Sequence, residues 1–123
     1  MARVAHFEIC AEDVERAVSF YRHVFGWEIR LWDGPHPYWI VITGEDAEQP
    51  GINGGIVDRR DHFAGSVNLV DVVALDNALL RVVEAGGVII HSRCTIPGVG
   101  FVAYCRDCES NPFGLIELDD QAS

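Results

Sequence analysis

The sequence carries one plan twice. Arg3 to Ile29 and Ser66 to Ile90 each run from an alternating strand through a short acidic break into an amphipathic helix, then a glycine and a further strand. A shift of 61 positions lays Val14 on Leu75, Ala17 on Ala78 and Gly26 on Gly87. Two copies are too few for a solenoid or a propeller, in which each repeat needs several neighbours to bury its apolar face. Two half-domains sharing one core are therefore expected, with any functional site where they meet.

Length and charge narrow the options. At 123 residues, 49% of them hydrophobic, the chain suits a single domain with modules at about residues 1–60 and 61–123. Nine Lys and Arg against 19 Asp and Glu leave a net charge of −10, which disfavours nucleic acid and anionic membrane surfaces as partners. Much of that charge reads as solubilising, as in Glu45, Asp46 and Glu48 and again in Asp119 and Asp120. No apolar run reaches the roughly 18 residues of a membrane span, and the start lacks a basic-then-apolar leader, so a cytoplasmic protein is expected. Cys10, Cys94, Cys105 and Cys108 then read as reduced thiols. Cys105 and Cys108 have C-x-x-C spacing, but a zinc site needs a second ligand pair and a redox pair should open a helix, whereas these end a strand.

Periodicity supplies the elements. Val4 to Cys10 alternates, with Ala5, Phe7 and Ile9 on one face and Val4, His6, Glu8 and Cys10 on the other. Glu12 and Asp13 precede a helix whose stripe is Val14, Ala17, Val18, Tyr21, Val24 and Phe25, ended by Gly26. Trp27 to Trp32 and Tyr38 to Thr43 read as strands around the turn Asp33 to Pro37, and Ile52 to Asp58 as a strand with Gly54 and Gly55 inside it. Arg59 to Gly65 is a polar linker. In the second copy, Val67 to Val73 is the strand, Leu75, Ala78, Leu79, Val82 and Val83 the helix stripe, and Gly86 with Gly87 its stop. Val88 to His91, Val99 to Cys105 and Phe113 to Leu118 complete the set. Each half is βαβββ, an α+β protein.

Four local patterns resemble the vicinal oxygen chelate superfamily, the glyoxalase and bleomycin-resistance fold. They are HFEICAEDVERAVSFYRHVFGW from His6 to Trp27, INGGI from Ile52 to Ile56, IPGVG from Ile96 to Gly100, and DCESNPFGL from Asp107 to Leu115. In the last of these, Cys108 and Ser110 stand where the family usually has Pro and Gly. The resemblance implies a tandem of βαβββ modules forming a curled mixed sheet, a cup with helices outside, and it implies a homodimer. It also implies, in metal-dependent members, one ligand on the first and last strand of each module, holding a divalent ion that acts as a Lewis acid.

Carried onto this chain, those positions are His6, Val67, Gly54 or Gly55, and Gly114. One imidazole falls short of the three protein donors that a catalytic ion with an open position requires. Glu8 and Asp71 are the nearest substitutes, while Glu117 lies three residues past its position and so points to the opposite face. We therefore expect no cofactor, with a divalent ion at His6 as the alternative, and assign no catalytic residue. Candidate ligand contacts are His6, Glu8, Asp71 and Asn53 together with the aromatics Trp39, Phe101 and Phe113. Parity alone leaves open which face of each strand lines the cup. Trp27, Trp32 and Tyr38 suit sheet edges or a subunit contact. His23 reads as a solvated helix residue, and His36, His62 and His91 lie in or near loops.

Two functions follow. One is a small-molecule-binding protein without the metal site, whose acidic cup takes a cationic or aromatic compound. The alternative is a metal-dependent lyase, isomerase or dioxygenase that uses His6.

Overall fold

The computed structural model describes residues 2–35, 37–45, 49–59 and 65–123. His36, Asp46, Glu48, His62 and the linker interior, residues 60–64, lie outside the described residues. In chain order the elements are β1 (Arg3–Ala11), α1 (Val14–Phe25), β2 (Glu28–Leu31), β3 (Trp39–Ile42), β4 (Gly54–Asp58), β5 (Gly65–Asp71), α2 (Leu75–Glu84), β6 (Val88–Ile96), β7 (Gly100–Arg106) and β8 (Pro112–Leu118). The pattern β-α-β-β-β occurs twice, as the repeat predicts. Contacts group the chain into two compact units, His6–Val67 and Asn68–Ser123 with the first residues of the chain.

In the first unit the strands run β2-β3-β4-β1, with β1 and β4 parallel and the other pairs antiparallel. A parallel pair cannot close through a tight turn, and the intervening α1 makes the crossover. Asp13 caps α1 by accepting a hydrogen bond from the Arg16 amide at 3.1 Å. Gly26, at φ 69°, ends it in the left-handed conformation. The helix buries Val18 against Ile29, Val41 and Ile56, with Phe7, Ile9, Tyr21, Trp27 and Trp39 packed around them. Each fully buried aliphatic side chain there contributes about 1.5–3 kcal/mol.

The second unit repeats this layout as β5-β8-β7-β6, with β5 and β8 parallel. Its core is Leu75, Ala78, Leu79, Ala103, Cys105 and Leu115, flanked by Val70, Val72, Phe101 and Phe113. Helix α2 starts at Ala74, which has no side chain to cap with, and Glu117 of β8 supplies the acceptor instead, its Oε1 2.8 Å from the Leu75 amide. Glu117 thus faces the helix, as its parity predicts.

Strand β6 runs on to Ile96, past His91 where the periodicity of the sequence ends. Irregular register on either side of His91 breaks the alternation, and the exposed stretch from Ser92 to Cys94 carries no apolar signal.

The loop after β7 is built by Asp107. Its Oδ1 accepts from the Glu109 and Asn111 amides at 2.8 and 2.9 Å, bonds that hold its carboxyl below the usual carboxylate range. The same loop puts Ser110 at φ 66°, the only positive-φ residue other than glycine among those described. A Cβ in the left-handed region costs about 1–2 kcal/mol, partly offset in a comparison with glycine by the latter's greater chain entropy. Ser110→Gly is accordingly expected to stabilise the protein by about 0.5–1 kcal/mol. Urea unfolding with an unchanged m-value checks this, and a neutral or destabilising result would show that the hydrogen bonds at Asp107, not the dihedral, dominate the loop.

Candidate functional site

Alternation along β1 separates its side chains. Phe7 and Ile9 join the core under α1, which sends His6, Glu8 and Cys10 to the face away from the helix. Glu8 is only 3% exposed there and Cys10 2%, while His6 is half-buried. Tyr38, just ahead of β3, completes the group. Its Oη lies 2.8 Å from His6 Nε2, and the two rings are nearly parallel at an interplanar angle of 18°. The Tyr38 hydroxyl also hydrogen-bonds Glu8, so it joins the carboxylate to the imidazole. Burial pushes the hydroxyl far above its ordinary pKa, and the nearby charges of Glu8 and then Cys10 push it further. Burial holds the His6 imidazole below its ordinary value.

A glycine makes room for this arrangement. Glu8 pairs in register with Gly55, and a Cβ on Gly55 would sit 2.2 Å from Cζ and Oη of Tyr38. Only hydrogen fits beneath the ring. In the second unit Leu69, 61 positions after Glu8, pairs with Gly114. The two registers identify Gly55, rather than Gly54, as the counterpart of Gly114. Gly54 instead faces Phe7, whose ring a Cβ would meet at 2.5 Å. Over Gly114 the space is filled by Leu69, whose Cδ2 would stand 2.0 Å from such a Cβ.

The positions that would hold a metal are thus His6, Val67, Gly55 and Gly114. The imidazole Nε2 is engaged by Tyr38, Val67 is buried and apolar, and both glycines lie under neighbouring side chains. Among the described residues no group of three or more His, Cys, Asp and Glu could hold a metal ion. This donor set does not fit the family's ion, which needs at least three protein ligands.

The remaining candidates are dispersed. Trp39 packs on the helix side of the first unit. Asn53 ties β3 to β4, its Oδ1 accepting from the Thr43 amide at 2.9 Å. In the second unit Asp71 pairs with Ile116 and is half-buried. Phe101 and Phe113 flank the α2 core, and the Arg93 guanidinium lies 3.8 Å from the Phe101 ring centroid. Cys105 is buried in that core, which raises its thiol pKa, while Cys108 is exposed; both are free. A cleft of about 530 Å3 opens between the start of α1 and Arg59, lined by Ile9, Arg16, Phe20 and Tyr21 among others, and it includes neither His6 nor Tyr38. The member of the site that sequence reading assigned elsewhere is Tyr38. Its signal was the alternation it shares with Ile40, opposite Trp39, together with a glycine in the neighbouring strand.

The direction of the His6 shift sets a pH dependence. A native pKa below the unfolded value of about 6.5 means that the unfolded chain binds the proton first. The contribution to stability is complete above about pH 6.5 and declines as the pH falls toward the native pKa, by at most about 1.4 kcal/mol per pH unit. Thermal midpoints are expected to drop more steeply below that pH in the wild type than in His6→Gln. Parallel curves would assign the acid sensitivity to other groups.

Residues 3–33 match the family model for a bleomycin resistance protein-like N-terminal region. No curated protein matches the sequence. Among solved structures, a methylmalonyl-CoA epimerase variant from Streptomyces coelicolor in complex with 2-nitronate-propionyl-CoA superposes with a TM-score of 0.67 at 13% identity, over 98% of this chain and 97% of that one. The epimerase from Mycobacterium tuberculosis gives a TM-score of 0.61 at 14% identity over 94% and 87%. A Legionella pneumophila protein described as an NAD-dependent benzaldehyde dehydrogenase gives 0.64 at 11% over 93% and 98%. At these identities the likeness is one of fold, and with the tandem βαβββ modules it identifies the chain as having the fold of the vicinal oxygen chelate superfamily.

Proposed function

We propose that this protein binds a small molecule in the manner of the glyoxalase and bleomycin-resistance type, without the family's metal site, and that it acts as a cytoplasmic homodimer. The observation that carries the reading is the state of the two last-strand positions. Gly55 and Gly114 lack a donor atom, and the room a donor would need is taken by Tyr38 in one unit and Leu69 in the other. Restoring a carboxylate at either place would require displacing a packed side chain. A net charge of −10 favours a cationic compound over an anionic one. The epimerase neighbours were captured with a CoA ester or its analogue, which supports a small-molecule site in this fold without naming the ligand here.

Metal analysis of protein purified without chelator tests the proposal. Iron, zinc, nickel and manganese are each expected well below one equivalent, both in the wild type and in His6→Ala. A near-stoichiometric metal that disappears in His6→Ala would overturn the reading in favour of a metal-dependent lyase, isomerase or dioxygenase.

A further inference from the structure

We propose that the outer face of α2 is a two-fold contact with a second copy of this chain, in which Arg81 of each copy meets Glu84 of the other beside an apolar seam of Leu80 and Val83. The inference deepens the homodimer reading and rests on it, and it names the surface that joins the two copies.

Helix α2 is apolar on more sides than its own core uses. Leu75, Ala78 and Leu79 are buried against β7 and β8, with Val82 beside them. The side turned to solvent should then be polar. It instead carries Leu80 at 63% exposure and Val83 at 54%. These two, with Leu79, Ile89, Asp76 and Glu84, line a groove of about 390 Å3 between α2 and β6. The repeat shows that the fold does not require this, because the shift of 61 positions lays Ser19 of α1 on Leu80 and Arg22 on Val83. Helix α1 has exposed rings of its own in Phe20 and Phe25, but these are already stacked against Tyr21 and Trp27. A lone exposed leucine needs no explanation, whereas an apolar stripe beside an apolar groove marks an interaction surface.

Charge names the occupant. Arg81 and Glu84, three residues apart, lie on one side of the helix. Among the described residues neither side chain has an ion-pair or hydrogen-bond partner. Asp76, the remaining carboxylate of the groove, is already engaged by Arg93 at 3.3 Å. One unpaired cation and one unpaired anion at this spacing make the surface complementary to itself. When two copies of α2 pack antiparallel about a two-fold axis, an axis between residues 82 and 83 sets Arg81 against Glu84 twice, and Leu80 and Val83 of both copies meet along the seam. A partner of a single charge sign would leave one of the two side chains unmatched; a second copy matches both. The net charge of −10 on each chain opposes association at long range, so the contact needs its apolar seam as well as its matched pairs.

Sedimentation velocity on the full chain, from about 1 to 100 μM, tests the contact. The wild type is expected to dimerise within this range. Leu80→Asp, Arg81→Glu and Glu84→Arg are each expected to raise the dissociation constant at least about tenfold, since every substitution enters a two-fold interface twice. All three side chains are exposed, so the variants are expected to keep the wild-type fold, which circular dichroism and thermal melts check. Mixing Arg81→Glu with Glu84→Arg brings a doubly acidic helix against a doubly basic one, and a heterodimer within about tenfold of the wild-type affinity is expected. A wild-type dimer left unmoved by the three substitutions, or a mixture that associates no better than either variant alone, would overturn this contact and leave the homodimer standing. A wild type that stays monomeric throughout would sink the homodimer reading and the contact with it.

Discussion

The parallel pairing of the first and last strands within each module is the constraint from which the rest follows. Because a parallel pair needs a long crossover, it obliges β1 to be followed by α1 and β5 by α2, and it commits one face of each sheet to a helix. The other face is then free of helical cover and carries His6 and Glu8 in the first unit and Leu69 in the second. The same pairing decides which residues can meet. It sets Glu8 beside Gly55 and Leu69 beside Gly114, with the glycine in each case under a large side chain. The duplicated sequence thus produces duplicated geometry, and chemistry differs only through what fills the space over each glycine.

Much of the fold could be read from the sequence because its signals were local. Asp13 before an i, i+3, i+4 stripe and Gly26 after it bound α1 within a residue, and alternation in β1 correctly parted Phe7 and Ile9 from His6 and Glu8. Where both faces of a strand are apolar, alternation has no preference to report. Trp39 and Val41 alternate with Ile40 and Ile42, so parity could not say that Trp39 lies under α1; the same ambiguity hid Phe101 in the α2 core. Tyr38 was hidden for another reason. Its partner His6 is 32 residues away, and only the strand order β3-β4-β1 places them on neighbouring ground. The end of β6 escaped notice because an exposed, irregular edge strand needs no apolar pattern.

Buried polar groups explain why the face bearing His6 is ordered. A carboxylate at 3% exposure would be strongly unfavourable alone, and a phenol or imidazole half removed from water loses hydrogen bonds that only the protein can replace. Linked in sequence, the three satisfy one another, each supplying what its neighbour lacks. Such a chain is cooperative: removing the central hydroxyl takes a partner from both ends at once, so its effect should exceed that of one lost bond. The corresponding positions of the second sequence copy, Val67 and Leu69, are apolar and buried.

This asymmetry bears on what the fold can do. A metal centre concentrates several anionic or neutral donors on one cation, and its Lewis acidity depends on their number and on an open coordination position. A phenol bridging a carboxylate and an imidazole satisfies the same kind of buried polar groups without any ion. It fixes position where an ion confers charge, since the His6 ring is held by the Tyr38 hydroxyl at 2.8 Å. With the Tyr38 ring seated over Gly55, a larger residue at that position and the present His6–Tyr38 contact exclude one another, because the added Cβ would stand 2.2 Å from the phenol.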